Sequence, residues 1–195
     1  MQFSIFKNQL SSWQGRSLIV GLNKEEIDSQ LEPIDFIVDL KQLKKKLNNN
    51  NFKGEIANSI NLEILGHSLD SLTIIGLGEK NKMNSEVLRN SLSECIRKVI
   101  DKEEKIGILM PWDILDNNAI YDIAETLRLS TFKDNRFNKN RDAKINLKEI
   151  EFLNLENIEN ISFKEVEDIC QGVEFARKLV AAPPNNLTPL EMSKK

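Results

Sequence analysis

Leu72-Thr73-Ile74-Ile75-Gly76-Leu77-Gly78 is a compact apolar run that leaves on a glycine pair, and Ile106-Gly107-Ile108-Leu109-Met110 repeats the apolar pattern further along. Neither run alternates between apolar and polar residues. A strand that is apolar on both faces belongs in the middle of a sheet covered on both sides, which is the habit of parallel sheets. Ser17 to Leu22 (SLIVGL) reads the same way. Phe3 and Ile5, then Ile60, Leu62 and Ile64, alternate with polar neighbours and predict half-buried strands, and Ile150 to Leu155 predicts one more. Amphipathic helical segments lie between these runs. The expected fold is therefore α/β, a three-layer sandwich with a mixed, largely parallel central sheet.

The helical segments carry their own boundaries. Phe36, Leu40, Leu43 and Leu47 recur at helical spacing and predict a helix that ends in the Asn48–Asn51 run. Asn84 is placed to cap a second helix, whose stripe is Leu88, Leu92, Cys95, Ile96 and Val99. A third runs from about Asn118 to Phe132 and presents Ile120, Ile123, Ala124 and Leu127. From Lys133 to Lys144 the sequence turns polar and basic, which reads as a surface loop.

Ser162-Phe163-Lys164-Glu165 has the spacing of a capping box, followed by Val166, Ile169, Cys170, Val173, Ala176 and Val180 at helical spacing. Lys164, Glu167, Asp168, Glu174 and Lys178 lie off that stripe and are expected to face water, while Arg177 lays its stem along it. Pro183-Pro184 stops the helix, because proline lacks the N–H and restricts the residue before it. Thr188-Pro189-Leu190-Glu191 then opens another helix with a second capping box, a few residues before Lys195. A strong start with no room to propagate predicts that the native product continues. The expected division is an α/β domain over 1–161, a linker helix over 162–182, and the start of a further domain over 183–195.

Composition bounds the function classes. The chain is 40% hydrophobic and 29% charged, as globular domains are, and carries a formal net charge of −3. A basic excess usually marks nucleic-acid partners, so the acidic balance argues against them. The clusters Lys41, Lys44, Lys45, Lys46 and Lys133, Arg136, Lys139, Arg141, Lys144 are read as solvated faces. No apolar stretch approaches the roughly 18 residues of a membrane span, and the N-terminus lacks a secretory apolar region. Cys95 and Cys170 sit at core positions without metal-ligand spacing, which reads as buried thiols in a reducing, cytoplasmic setting.

Chemistry-bearing motifs are few. His67 is the single histidine, and no zinc, serine-hydrolase or phosphate-loop motif occurs. Gly76 and Gly78 could cradle an anion through their N–H groups; an exit too tight for side chains explains them as well, and we adopt that reading. Trp13 reads as a packing residue. Trp112 follows Met110-Pro111 at a strand end, where open α/β sheets place their clefts.

Gly172-Val173-Glu174-Phe175-Ala176-Arg177-Lys178-Leu179-Val180, then Ala182-Pro183-Pro184-Asn185-Asn186-Leu187-Thr188-Pro189, resembles the interdomain junction of the leucyl (cytosol) aminopeptidase family. Ile74 to Lys80, and Glu125 to Lys133, resemble two earlier segments of the same family. The resemblance implies an N-terminal, macro-domain-like α/β domain ahead of a peptidase domain that removes N-terminal residues from peptides. It also implies two divalent metal ions (manganese or zinc), a water acidified by them, and a homo-hexamer. The family's metal-ligand motifs do not occur in this sequence, so no catalytic, cofactor or metal residue is assigned within it. The alternatives are a nucleotide or ADP-ribose binding module and a DNA-binding domain.

Overall fold

The computed structural model describes residues 1–64, 69–99, 104–115, 117–137, 147–155 and 161–194. Six strands form one sheet: β1 (Gln2–Ile5), β2 (Ser17–Asn23), β3 (Ser59–Glu63), β4 (Ser71–Gly78), β5 (Lys105–Leu109) and β6 (Glu149–Phe152). Their order across the sheet is β1-β6-β5-β2-β4-β3. All neighbours are parallel except β3 and β4. The helices are α1 (Ile27–Gln30), α2 (Leu40–Asn49), α3 (Ser85–Val99), α4 (Asn117–Thr131), α5 (Lys164–Ala181) and α6 (Pro189–Met192).

The two apolar faces of the central strands divide the core in two. Ile19 of β2, Ile75 and Leu77 of β4, and Ile106 and Ile108 of β5 pack with α3, α4 and the first part of α5. Leu18, Val20 and Leu22 of β2, with Leu72 and Ile74 of β4, pack with α2 and the turns around Leu31, Ile34 and Val38 on the other face. The three layers expected from the doubly apolar runs are present. Fully burying one such side chain contributes about 1.5–3 kcal/mol, so the paired faces of β2 and β4 carry much of the stability.

Trp13 lies 4% exposed and is a packing residue, as expected. Its ring lies over Gly107, where a Cβ would come within 2.6 Å of it. Its Nε1 donates to Glu151 Oε2 at 2.8 Å, and Lys105 Nζ pairs with the same oxygen at 2.8 Å. Cys95 and Cys170 are buried free thiols. Burial pushes the first up to about 12 and the second up to about 11.

Several boundaries differ from the sequence reading. The helix assigned to Phe36 begins at Leu40, and Phe36 lies outside it, exposed. The cause is Asp39, whose Oδ1 accepts from the Lys41 and Gln42 N–H groups at 2.9 and 3.2 Å and so fixes the first turn. The same bonds hold the Asp39 carboxyl below its ordinary range, the Gln42 N–H foremost. Asn84 caps α3 as expected, its Oδ1 accepting from Val87 N at 3.0 Å. β6 closes at Phe152 and Asn154 takes a positive φ of 58°, so the run to Leu155 is shorter than expected.

Ser162 does not cap α5. The helix starts at Lys164 with Phe163 in the cap position and no side-chain cap bond. The Phe163 ring stacks on Phe152 at 5.4 Å and meets Phe3 at 5.5 Å, so an aromatic cluster decides where the helix begins. Thr188 does cap α6, its Oγ1 accepting from Glu191 N at 3.3 Å.

The α5 stripe is only partly buried. Val166 and Cys170 lie in the core, whereas Ile169 is 50% and Val180 88% exposed, and Ala176 is exposed. Glu174, expected to face water, instead pairs with Arg128 of α4 at 2.8 Å. His67 and the basic residues Lys139, Arg141 and Lys144 lie outside the described residues.

Candidate functional site

β2 and β5 lie side by side and run in the same direction, yet the chain leaves their carboxyl ends toward opposite faces of the sheet. After β2 it passes to the α2 face, and after β5 to the α4 face. Such a divergence opens a crevice beyond the strand ends. A cleft of about 690 Å³ lies there, bordered by Gly21, Glu26, Gln30, Met110, Trp112 and Asp113. Trp112 therefore stands where the sequence placed it.

The polar groups around the cleft are largely committed to one another. Trp112 Nε1 donates to Leu153 O at 2.7 Å, which leaves the indole as an apolar wall. Gln30 Nε2 donates to Asn23 Oδ1 at 3.0 Å and to Glu26 Oε2 at 3.2 Å, and its Oε1 accepts from Asn23 N at 2.7 Å. Lys80 Nζ donates to Glu26 Oε1 at 2.8 Å, and that bond lifts the Lys80 ammonium above its ordinary value. Glu26, Gln30 and Asn23 were not singled out from the sequence. Their only signal is position just after β2, and the partner Lys80 comes from the exit of β4.

Gly76 and Gly78 do not offer an anion cradle. Gly76 N donates to Asn58 O at 2.7 Å and Gly78 N to Gly54 O at 2.8 Å. A Cβ on Gly76 would lie 2.0 Å from Glu55 O, and Gly78 has φ +78°. Both glycines serve a tight strand exit against the 54–58 loop. In the first lysine cluster Lys44 pairs with Asp28 at 2.6 Å, and Lys41, Lys45 and Lys46 point to water. Arg136 binds Asp134 through two nitrogens at 2.8 and 2.7 Å, and this guanidinium holds the Asp134 carboxyl down at about 2.

Among the described residues, no three of His, Cys, Asp and Glu converge as ligands of a metal ion. Those residues present no donor set for the two metal ions, which the resemblance assigns to the peptidase domain. No helix among the described residues is long and apolar enough to cross a membrane.

Residues 19–141 match the family model described as the cytosol aminopeptidase family, N-terminal domain. The chain belongs to the cytosol aminopeptidase family. A probable cytosol aminopeptidase of Prochlorococcus marinus (strain MIT 9312) is 54% identical over 194 residues, which cover 99% of this chain and 40% of the relative. A probable cytosol aminopeptidase of a Synechococcus species is 31% identical over 194 residues, 99% of this chain and 39% of the relative. The chain thus spans about two fifths of the length of the curated relatives it matches.

Solved structures share its fold. A tomato leucine aminopeptidase mutant superposes with a TM-score of 0.75 at 21% identity, over 100% of this chain and 41% of that one. The bottromycin maturation enzyme BotP in complex with Mn gives 0.64 at 12% identity, over 92% and 35%.

Proposed function

We propose that this chain is the non-catalytic N-terminal domain of a dimetal leucyl aminopeptidase, an enzyme that removes N-terminal residues from peptides. One observation carries the reading: residues 19–141 match the family's N-terminal domain, and relatives named as aminopeptidases extend well past the matched length. In this reading residues 1–161 form the domain and 162–182 the linker, with α5 as its body. Residues 183–195 open the peptidase domain. The two divalent ions, manganese or zinc, belong to that further domain, as do peptide binding and the chemistry, and assembly into a homo-hexamer belongs to the whole protein. No residue between 1 and 195 is assigned a catalytic or metal-binding role.

The exposed apolar side chains of the last segment support this division. Ile169, Phe175, Val180, Leu190 and Met192 are between 45 and 88% exposed. Large exposed apolar patches usually mark a surface that something covers, and these five side chains fall close together in the chain. The nucleotide-module reading is weakened by the commitment of the Gly76 and Gly78 N–H groups to backbone carbonyls.

The test is turnover of leucine p-nitroanilide in the presence of manganese or zinc. The 195-residue chain is expected to give none, and the full gene product to give clear hydrolysis. Turnover by the shorter chain that point mutants within it alter would overturn the assignment.

A further inference from the structure

α5 is docked in two different ways along its length. Up to Cys170 it is held by apolar contact: Val166 and Cys170 are 5% and 0% exposed, and Phe163 sits among Phe3, Phe152 and Tyr121. Among its described residues, none beyond Cys170 joins the core.

Beyond that point Val173 and Leu179 are only half-buried, and charged side chains make the polar contacts. Arg128 Nε donates to Glu174 Oε1 at 2.8 Å and Nη2 to Oε2 at 3.5 Å. Arg177 Nη1 donates to Leu129 O at 2.7 Å, and Arg136 donates to the Lys178 carbonyl. Arg177 and Lys178 also approach the Phe132 ring at 5.9 and 5.8 Å. Gly172 lies between the two halves. It is exposed, and a Cβ built there meets nothing within 4 Å. A glycine inside a helix is about 1 kcal/mol less favourable than alanine, and no packing at this position requires one.

We propose that α5 is hinged at Gly172, with its C-terminal half held to α4 and the segment after it by a charged clasp, the Arg128–Glu174 ion pair with Arg177 and Arg136 donating to backbone carbonyls, that opens as ionic strength rises. Charge contacts are screened over a Debye length of about 8 Å at physiological salt and about 3 Å at 1 M, less where a pair is partly buried as Arg128–Glu174 is, whereas apolar contacts are not weakened by screening. The two halves therefore respond differently to the same solvent. The device is a property of these residues and does not depend on a following peptidase domain.

Hydrogen exchange on the 195-residue chain, read by mass spectrometry at low and high sodium chloride, tests it. At high salt, amides of 174–181 should exchange roughly tenfold faster than at low salt while those of 168–171 hold. Arg128→Gln should give the fast exchange already at low salt and flatten its salt dependence. Arg128→Lys should restore part of it, because the charge remains without the two-pronged geometry. Gly172→Ala should slow exchange from 173 onward with no change before it. A helix end that merely frays would show a gradient indifferent to salt and to Arg128→Gln, and that result would overturn the hinge. Opening of all of α5 as one unit would overturn it equally.

Discussion

β2 and α5 make opposite use of their apolar residues. All seven residues of β2 are buried, with neighbours β4 and β5 on either side and a core on each face. Of the eighteen residues of α5 only Val166 and Cys170 are buried, though its apolar stripe runs to Val180. Periodicity is thus a statement about what a segment is able to bury, and the presence of partners decides what it does bury. β2 finds every partner within these residues. α5 finds them for its first two turns.

Paired truncations give the largest separation between the two regions. Ile75→Ala, at a fully buried site in β4 beside β2, is expected to cost about 2–5 kcal/mol, and Ile169→Ala, half exposed on α5, less than about 0.5 kcal/mol. Urea unfolding followed by circular dichroism measures both. Equal losses would mean that α5 is covered as fully as the sheet.

The glycines sharpen the contrast by reversing its sign. Gly76→Ala drives a methyl group into the Glu55 carbonyl and should destabilise by about 1–3 kcal/mol. Gly172→Ala meets open space and should stabilise by up to about 1 kcal/mol. Melting temperatures moving in opposite directions are the expected outcome.

The cysteines give the smallest effect and the finest probe. Each thiol is raised in the folded state, chiefly by burial, to about 12 for Cys95 and about 11 for Cys170. A free thiol titrates near 8.5, so only the unfolded chain gains by ionising above that pH. Their contribution to stability is therefore intact below about pH 8.5 and falls as pH rises toward 11. Iodoacetamide at pH 8 should leave both untouched in the folded chain. When urea is raised, Cys170 on α5 should react before Cys95 on α3; the reverse order would mean that the docked first turns of α5 are held more firmly than the helix under the sheet.

The central strands were legible because LTIIGLG and IGILM are apolar on both faces, a pattern that local sequence alone displays. The caps at Asn84 and Thr188 were legible for the same reason, since donor and acceptor lie three residues apart. Ser162 had the same spacing, yet stacking of Phe163 on Phe152 decided the start of α5, and residues that far apart in the chain leave no local trace. Phe36 kept helical spacing but lost its place to the carboxylate of Asp39. Glu174 fell on the polar side of α5, and only the fold brings Arg128 to it. For the cleft, Trp112 was found through its place at a strand end, whereas Glu26 and Gln30 acquire meaning only once β4 sets Lys80 beside them. The junction from Gly172 to Pro189 identified the family through an ordered string of residues whose physical reasons are mostly not local.

The strand order has a consequence for synthesis. Among the described residues β1 pairs only with β6, Gln2 with Glu149 and Ile5 with Phe152, although four other strands lie between the two in the chain. Translation proceeds at about 5–20 residues per second, so β1 waits several seconds in the open before its neighbour exists. During that wait β2, β4 and β5 can already assemble, because each finds its partner earlier in the growing chain. Nascent β1 is thus the segment most exposed to a trapping chaperone or to a premature wrong pairing, and its short length and the polar Gln2 and Ser4 keep it a poor template for either.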